Sequence, residues 1–190
     1  MDANKIKCLL VGMGVVMLLT ASAGRHTRSA IREGFRFDAS ELKDKTLWAQ
    51  VNTKPYYISS AADALCRAPT RGDYEAERKR NPHAATYITV YVNQVGREAM
   101  FAKEPRRFAE GSVIVKEKVG MYSEGRSPLL YTLMIKREPG YNPAVGDWEF
   151  SVASGNGTRI EASGKLENCQ TCHIMKRDSD FVFRPYLKSK

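Results

Sequence analysis

Five residues near the C-terminus, Cys169-Gln170-Thr171-Cys172-His173, constrain this chain more than any other stretch, because they read as a site for tying a cofactor covalently to the polypeptide. A C-x-x-C-H run is the attachment signature of a c-type haem. Its two thiols add across the two vinyl groups of the ring, and the histidine that follows is placed under the iron as proximal ligand. The competing reading is a redox or zinc C-x-x-C that happens to precede a histidine. Zinc needs two further ligands at suitable spacing. There is no second C-x-x-C and no H-x-x-x-H, and His26 and His83 lie far upstream. One covalent haem c is expected, held by Cys169 and Cys172, with His173 as its axial iron ligand.

The other end of the chain agrees. Lys5 and Lys7 form a short basic start, an apolar stretch runs from Cys8 to Leu19, and Ala21-Ser22-Ala23 is an A-x-A site. This is the pattern of a cleaved secretory signal over residues 1–23. The apolar stretch is short for a bilayer span, and an uncleaved membrane anchor is the alternative. A periplasmic or secreted location follows, since finished thioethers survive an oxidising space. Removing 1–23 takes away Cys8, and haem takes Cys169 and Cys172. Cys66 is left over. It is read first as a small buried thiol, with an intermolecular disulfide as the alternative.

The formal charge is +9, and it becomes +8 once two lysines and one aspartate leave with the signal. Lysines and arginines are spread along the chain with no long basic run, so nucleic-acid binding is not indicated. The charge reads as solvated surface suited to an acidic redox partner. The most basic local stretch lies within 24–38 and is expected to be a flexible arm. Residues 39–190 remain as one domain, long enough for a real core.

Along that domain, residues 39–51 predict a short helix with Ser40 as N-cap, and 56–65 another with Leu65 and Cys66 packed inward. Residues 68–73 read as a loop, and Asn81-Pro82-His83 as a turn. From residue 86 the pattern changes. Residues 86–92, 112–119, 129–136 and 148–153 read as strands, with a short helix at 96–103. Four strands separated by turns, with helices mostly before them, predict an α+β fold: a single domain dominated by an antiparallel sheet with a few flanking helices. No internal repeat is visible. Alternation on a strand places Ile114, Lys116 and Lys118 on one face, with Val113, Val115, Glu117 and Val119 on the other. It likewise opposes Trp148, Phe150 and Val152 to Glu149 and Ser151.

Three segments in this order carry a resemblance. Residues 108–118, FAEGSVIVKEK, are similar to the F-x-x-G-x-x-I-V-K-E-K segment of the cytochrome P-460 family. Residues 141–150, YNPAVGDWEF, resemble its Y-x-P-x-x-G-D-W-E-F/Y segment, and the C-x-x-C-H run with Asp180-Phe181-Val182-Phe183 beyond it completes the order. The resemblance spans about residues 80 to 184. It implies a sheet-dominated domain, commonly a homodimer, whose c-type haem has one axial histidine and an open opposite face. Members with a lysine cross-linked to the ring oxidise hydroxylamine or handle nitric oxide. The related cytochromes c prime-beta lack the cross-link and bind diatomic gases. The spacing from Gly111 carries the cross-linking role to Lys116; Glu149 is the candidate distal base, with Ser151 as a second polar candidate.

Chemistry at the iron then depends on the sixth position. Met175 is too close to His173 to reach the opposite face. Met100, Met121 and Met134 are the methionines that could close it, although methionine is more often core filler. Three readings stand. One is an exported haem oxidoreductase of hydroxylamine or nitric oxide, served by a redox partner. The others are a gas-binding cytochrome and a His/Met electron carrier.

Overall fold

The β-branched and aromatic run at Thr86–Asn93 forms the strand on which the sheet is built. The structure, a computed structural model, describes residues 37–188 except Leu65, Arg80, Pro82, Tyr122 and 124–126. The expected signal segment and almost all of the basic arm therefore lie outside the described residues. The strands are β1 (Trp48–Gln50), β2 (Tyr56–Ile58), β3 (Thr86–Asn93), β4 (Val113–Gly120), β5 (Pro128–Lys136), β6 (Trp148–Ser154) and β7 (Ile160–Gly164). Among the described residues three α-helices accompany them: α1 (Arg71–Arg78), α2 (Gln94–Phe101) and α3 (Glu167–His173). The sheet has the order β1-β3-β4-β5-β6-β7, with β2 also pairing β3, and every pairing is antiparallel. This is the expected α+β architecture, with seven strands in place of four.

The differences have local causes. Residues 39–43 are a 3-10 turn, capped by Asp38 and not by Ser40. The Asp38 carboxylate accepts from the Ser40 amide, and Glu41 reaches back to the Asp38 amide. This reciprocal cap needs an acidic residue at the third position, which Asp38 has in Glu41 and Ser40 lacks in Lys43. Tyr56–Ile58 is strand, because the edge of β3 is free to accept it. The expected loop at 68–73 contains the start of α1, capped by Thr70 and Asp73 in a capping box. Cys66 is exposed, contrary to the buried thiol expected, and Leu65 lies outside the described residues.

The sheet separates two cores. One face carries Ile88, Val90, Val92, Ile114, Met134, Trp148 and Phe150, covered by α2 and by Leu166, Cys169, Phe181, Val182 and Leu187 of the C-terminal segment. The other carries Val113, Val115, Tyr131, Leu133 and Ile135, covered by Phe37, Leu42, Trp48 and Ile160. Asn93 joins three elements at the rim. Its Oδ1 accepts from the amides of Gly96 (3.1 Å) and Val113 (3.0 Å), and its Nδ2 donates to the Gly111 carbonyl (2.8 Å). Among the described residues no helix is long and apolar enough to cross a membrane.

Candidate functional site

The C-x-x-C-H run forms the last five residues of α3. Residues three and four apart share one helix face, so Cys169, Cys172 and His173 are brought together by helical geometry alone. Cys169 is partly buried against the first core, Cys172 is exposed and His173 is buried. The middle of the run anchors the helix. Gln170 Nε2 donates to the Lys165 carbonyl (2.8 Å), and its Oε1 accepts from Asn142 Nδ2 (3.2 Å). Asn142 Nδ2 also donates to the Trp148 carbonyl, so α3 is tied to the turn before β6.

His173 is oriented by a sharp turn after the helix. Its Nδ1 lies 2.6 Å from the Phe181 carbonyl. A carbonyl can only accept, so Nδ1 carries the proton and Nε2 presents its lone pair. Phe181 and the preceding Asp180 both have positive φ, 64° and 50°. That is an uncommon backbone for side chains with a Cβ, and surrounding contacts must hold it. Asp180 Oδ2 accepts from the Phe108 amide (2.8 Å) and from Lys136 Nζ (2.7 Å), while its carbonyl accepts from Trp148 Nε1 (2.8 Å). Gly146, itself at φ 66°, lies under the Phe181 ring, where an added Cβ would come within 2.7 Å of ring carbons. The ring of His173 packs between Phe150 (5.2 Å between centroids) and Phe183 (5.1 Å, edge-on). Burial holds the His173 pKa down at about 4, helped by the charge of Lys116 and opposed by the bond to Phe181.

The third side of the site comes from β4. Ile114, Lys116 and Lys118 do share the face of the haem motif, as strand alternation predicts. Lys116 Nζ lies 5.5 Å from the centroid of Phe183. It keeps some exposure, yet the protein packed around its amine pushes its pKa down to about 8, against the pull of Cys169 and Cys172. Lys118 is fully buried, and desolvation together with the charge of Lys116 brings it to about 7. Burial raises the pKa of Cys169, and the two lysines draw it back. A buried amine with a depressed pKa spends more time neutral and nucleophilic.

Other expected participants are placed elsewhere. Glu149 stands on the opposite face of β6 from Phe150, as does Ser151. Its carboxylate is bound by Arg137 and by the hydroxyl of Ser163, and Ser151 also bonds Ser163 (2.6 Å). Glu149 therefore does not reach the cluster around His173. The period of two that put Lys116 with the haem motif takes Glu149 away from it. Met100 and Met134 are buried in the first core, and Met121 packs against a separate small cluster of Ala62, Tyr74 and Ala85.

One group was set aside in the sequence as too distant. His83, three residues before β3, lies near enough to feel the charges of Lys118, Lys116 and His173. Burial and those neighbours hold its pKa down at about 3. The available signal was its position just before a strand paired with β4: Thr86 opposes Gly120, and Ile88 opposes Lys118.

These residues fit a haem. Two thiols stand on one helical face, a buried imidazole has its Nε2 left available by a bond at Nδ1, and aromatic rings flank it. Among the described residues no three His, Cys, Asp or Glu side chains gather as a metal-ligand set. A family model described as Cytochrome P460 matches residues 72–184, more than half of the chain. No curated protein matches the chain.

Proposed function

This chain belongs to the cytochrome P460 family, and on that premise we propose that it is an exported mono-haem c-type cytochrome. In this reading its iron has one protein ligand, and the protein oxidises hydroxylamine or handles nitric oxide at the open face. Cys169 and Cys172 would hold the ring by thioethers and His173 the iron. The bound group would supply a redox-active iron able to take a nitrogen ligand and pass electrons on. The chain's residues do the rest. The Phe181 carbonyl orients His173, Phe150 and Phe183 exclude water beside it, and Lys116 presents an amine that burial keeps close to neutrality.

The observation that carries the reading is the placement of Lys116. It shares the sheet face of the haem motif, in surroundings that depress its pKa to about 8. A neutral amine held there could replace a hydrogen at the ring edge, the N–H and C–H bonds giving way to N–C as two protons leave and two electrons pass to an external two-electron oxidant. Such a bond would alter the ring's shape and potential, a lever by which a protein tunes haem chemistry. Export through residues 1–23 and an acidic redox partner complete the proposal.

The test is peptide mapping by mass spectrometry of the haem-loaded protein, with hydroxylamine turnover measured on an artificial electron acceptor. Haem should be joined to a peptide containing Lys116 as well as to one containing Cys169 and Cys172. Lys116→Ala should give an ordinary c-type spectrum and lose hydroxylamine oxidation while still binding nitric oxide. The aromatic walls formed by Phe150 and Phe183 favour one second reading, a gas-binding cytochrome without turnover. An ordinary spectrum in the wild type, with haem on the thioether peptide alone, would select it. Mapping must separate Lys116 from Lys118, which shares its face.

A further inference from the structure

The last carbonyls of a helix find no partner within it, and the final turn of α2 carries no basic side chain to serve them. The partner comes from Arg184, 84 and 82 residues further along the chain. Its Nη2 donates to the Met100 carbonyl (2.9 Å) and to the Ala102 carbonyl. A guanidinium in that place also meets the negative end of the helix dipole. The next donor of the same side chain is left without a bond. Arg184 Nε is buried and has no acceptor among the described residues. A buried donor without a partner is uncommon and destabilising, so an arginine kept there points to a role besides stability.

The chain between this anchor and the proximal turn carries two contacts to His173. Residues 181–184 belong to no strand or helix, so no ladder fixes their path. Upstream they are tied by Asp180, bound to the Phe108 amide and Lys136, and by Ser179 Oγ, which donates to the Val182 carbonyl (2.7 Å). Next comes Phe181, whose carbonyl lies 2.6 Å from His173 Nδ1. Two residues on, the ring of Phe183 meets His173 edge-on, 5.1 Å between centroids. Arg184 follows directly. Val182 and Leu187 pack into the first core, but apolar packing is non-directional. Among the described residues the directional tie to another element downstream of Phe183 is therefore Arg184 on α2.

We propose that Arg184 is a positioning residue for the iron ligand. By clamping residues 181–184 to the end of α2, it sets how closely the Phe181 carbonyl and the Phe183 ring hold His173. The inference rests on the reading of His173 as the axial ligand of a covalently held haem. A histidine whose Nδ1–H is firmly accepted is a more basic ligand, and such bonding tunes the potential of the iron. A more basic ligand favours the ferric state and stiffens the iron–histidine bond. Loosening the clamp should raise the potential and lower the iron–histidine stretching frequency.

The experiment uses the haem-loaded protein, with Arg184→Met and Arg184→Lys beside the wild type. Methionine keeps an apolar stem and no donor; lysine keeps a charged donor for the carbonyls. The ferric–ferrous midpoint potential, the iron–histidine Raman band of the ferrous protein and the urea midpoint are measured on each. Arg184→Met should raise the potential and move the band to lower frequency, and Arg184→Lys should restore part of both. Wild-type potential and band in Arg184→Met, whatever its urea midpoint, would make Arg184 a stabilising contact alone and overturn the proposal. A lysine variant identical to the methionine variant in both readings would also count against it. If Arg184→Met does not accumulate with haem, Arg184→Gln takes its place, and wild-type values in both remaining variants would overturn the role. A ferrous wild type that is six-coordinate would overturn the open-iron reading instead, and the potentials would still decide the clamp.

Discussion

Asp180 accepts hydrogen bonds from the Phe108 amide and the Lys136 amine through the same oxygen, Oδ2. The side chains of Asp180 and Lys136 are 7% and 11% exposed. Removing one member of so buried a pair strands the other charge, which costs about 3–5 kcal/mol. Asp180→Asn should therefore lower stability by about that amount in denaturant titrations. It should also perturb the electronic spectrum of the haem, because the turn it fixes carries the carbonyl that orients His173. The double variant Asp180→Asn with Lys136→Met should recover a large part of the stability, since no unpaired charge then remains. At this scale the spacing of Cys169, Cys172 and His173 is a local pattern, and the structure places the three on one short helix. The sequence was silent on Phe181, which acts through its backbone carbonyl.

Strand β6 shows what an element decides. Trp148 is fully buried, packs at 5.4 Å from Phe108, and donates its indole N–H to the Asp180 carbonyl. Truncating it removes core volume and a hydrogen bond that holds the proximal turn. Trp148→Ala should cost about 3–5 kcal/mol, read as a lower urea midpoint, with folding damaged more than ligand preference. Its neighbour Glu149 points the opposite way. Glu149→Gln should leave carbon monoxide and hydroxylamine binding unchanged, while weakening the Arg137 and Ser163 contacts on the outer face. A large loss of hydroxylamine affinity in Glu149→Gln would return that carboxylate to the site. Alternation along β6 was visible in the sequence, but which face packs against the C-x-x-C-H helix was not. It follows from the pairing Ile114–Met134–Phe150 across three strands, and each register depends on long-range contacts.

The whole molecule stores unfavourable charge states in its interior, and these set its pH response. Lys118 has its pKa lowered to about 7 from an ordinary 10.5. Between those values the unfolded chain binds a proton that the folded chain does not. Stability should therefore rise with pH across that window. His83, lowered to about 3 from 6.5, works the same way at lower pH, so stability should fall as pH drops below 6.5. Urea midpoints for wild type and Lys118→Met at pH 7 and pH 10 check this. The variant should lose the larger part of the alkaline rise.

By itself the sequence determined what is periodic: the C-x-x-C-H run on one helical face, the β-branched strands, and the alternation that sorts Lys116 from Glu117 and Phe150 from Glu149. These are short-range properties, set by 3.6 residues per helical turn and by two residues per strand repeat. The three edge strands β1, β2 and β7 were not legible, because short edge strands draw their stability from the partner they pair with. Only the tertiary structure decided which distant groups meet. It brought His83, Lys116, Lys118 and His173 into one neighbourhood, removed Glu149 to the far face, and closed the Asp180–Phe181 turn over His173. Each of these outcomes depends on strand register and on packing between segments up to about ninety residues apart, and no local pattern encodes them.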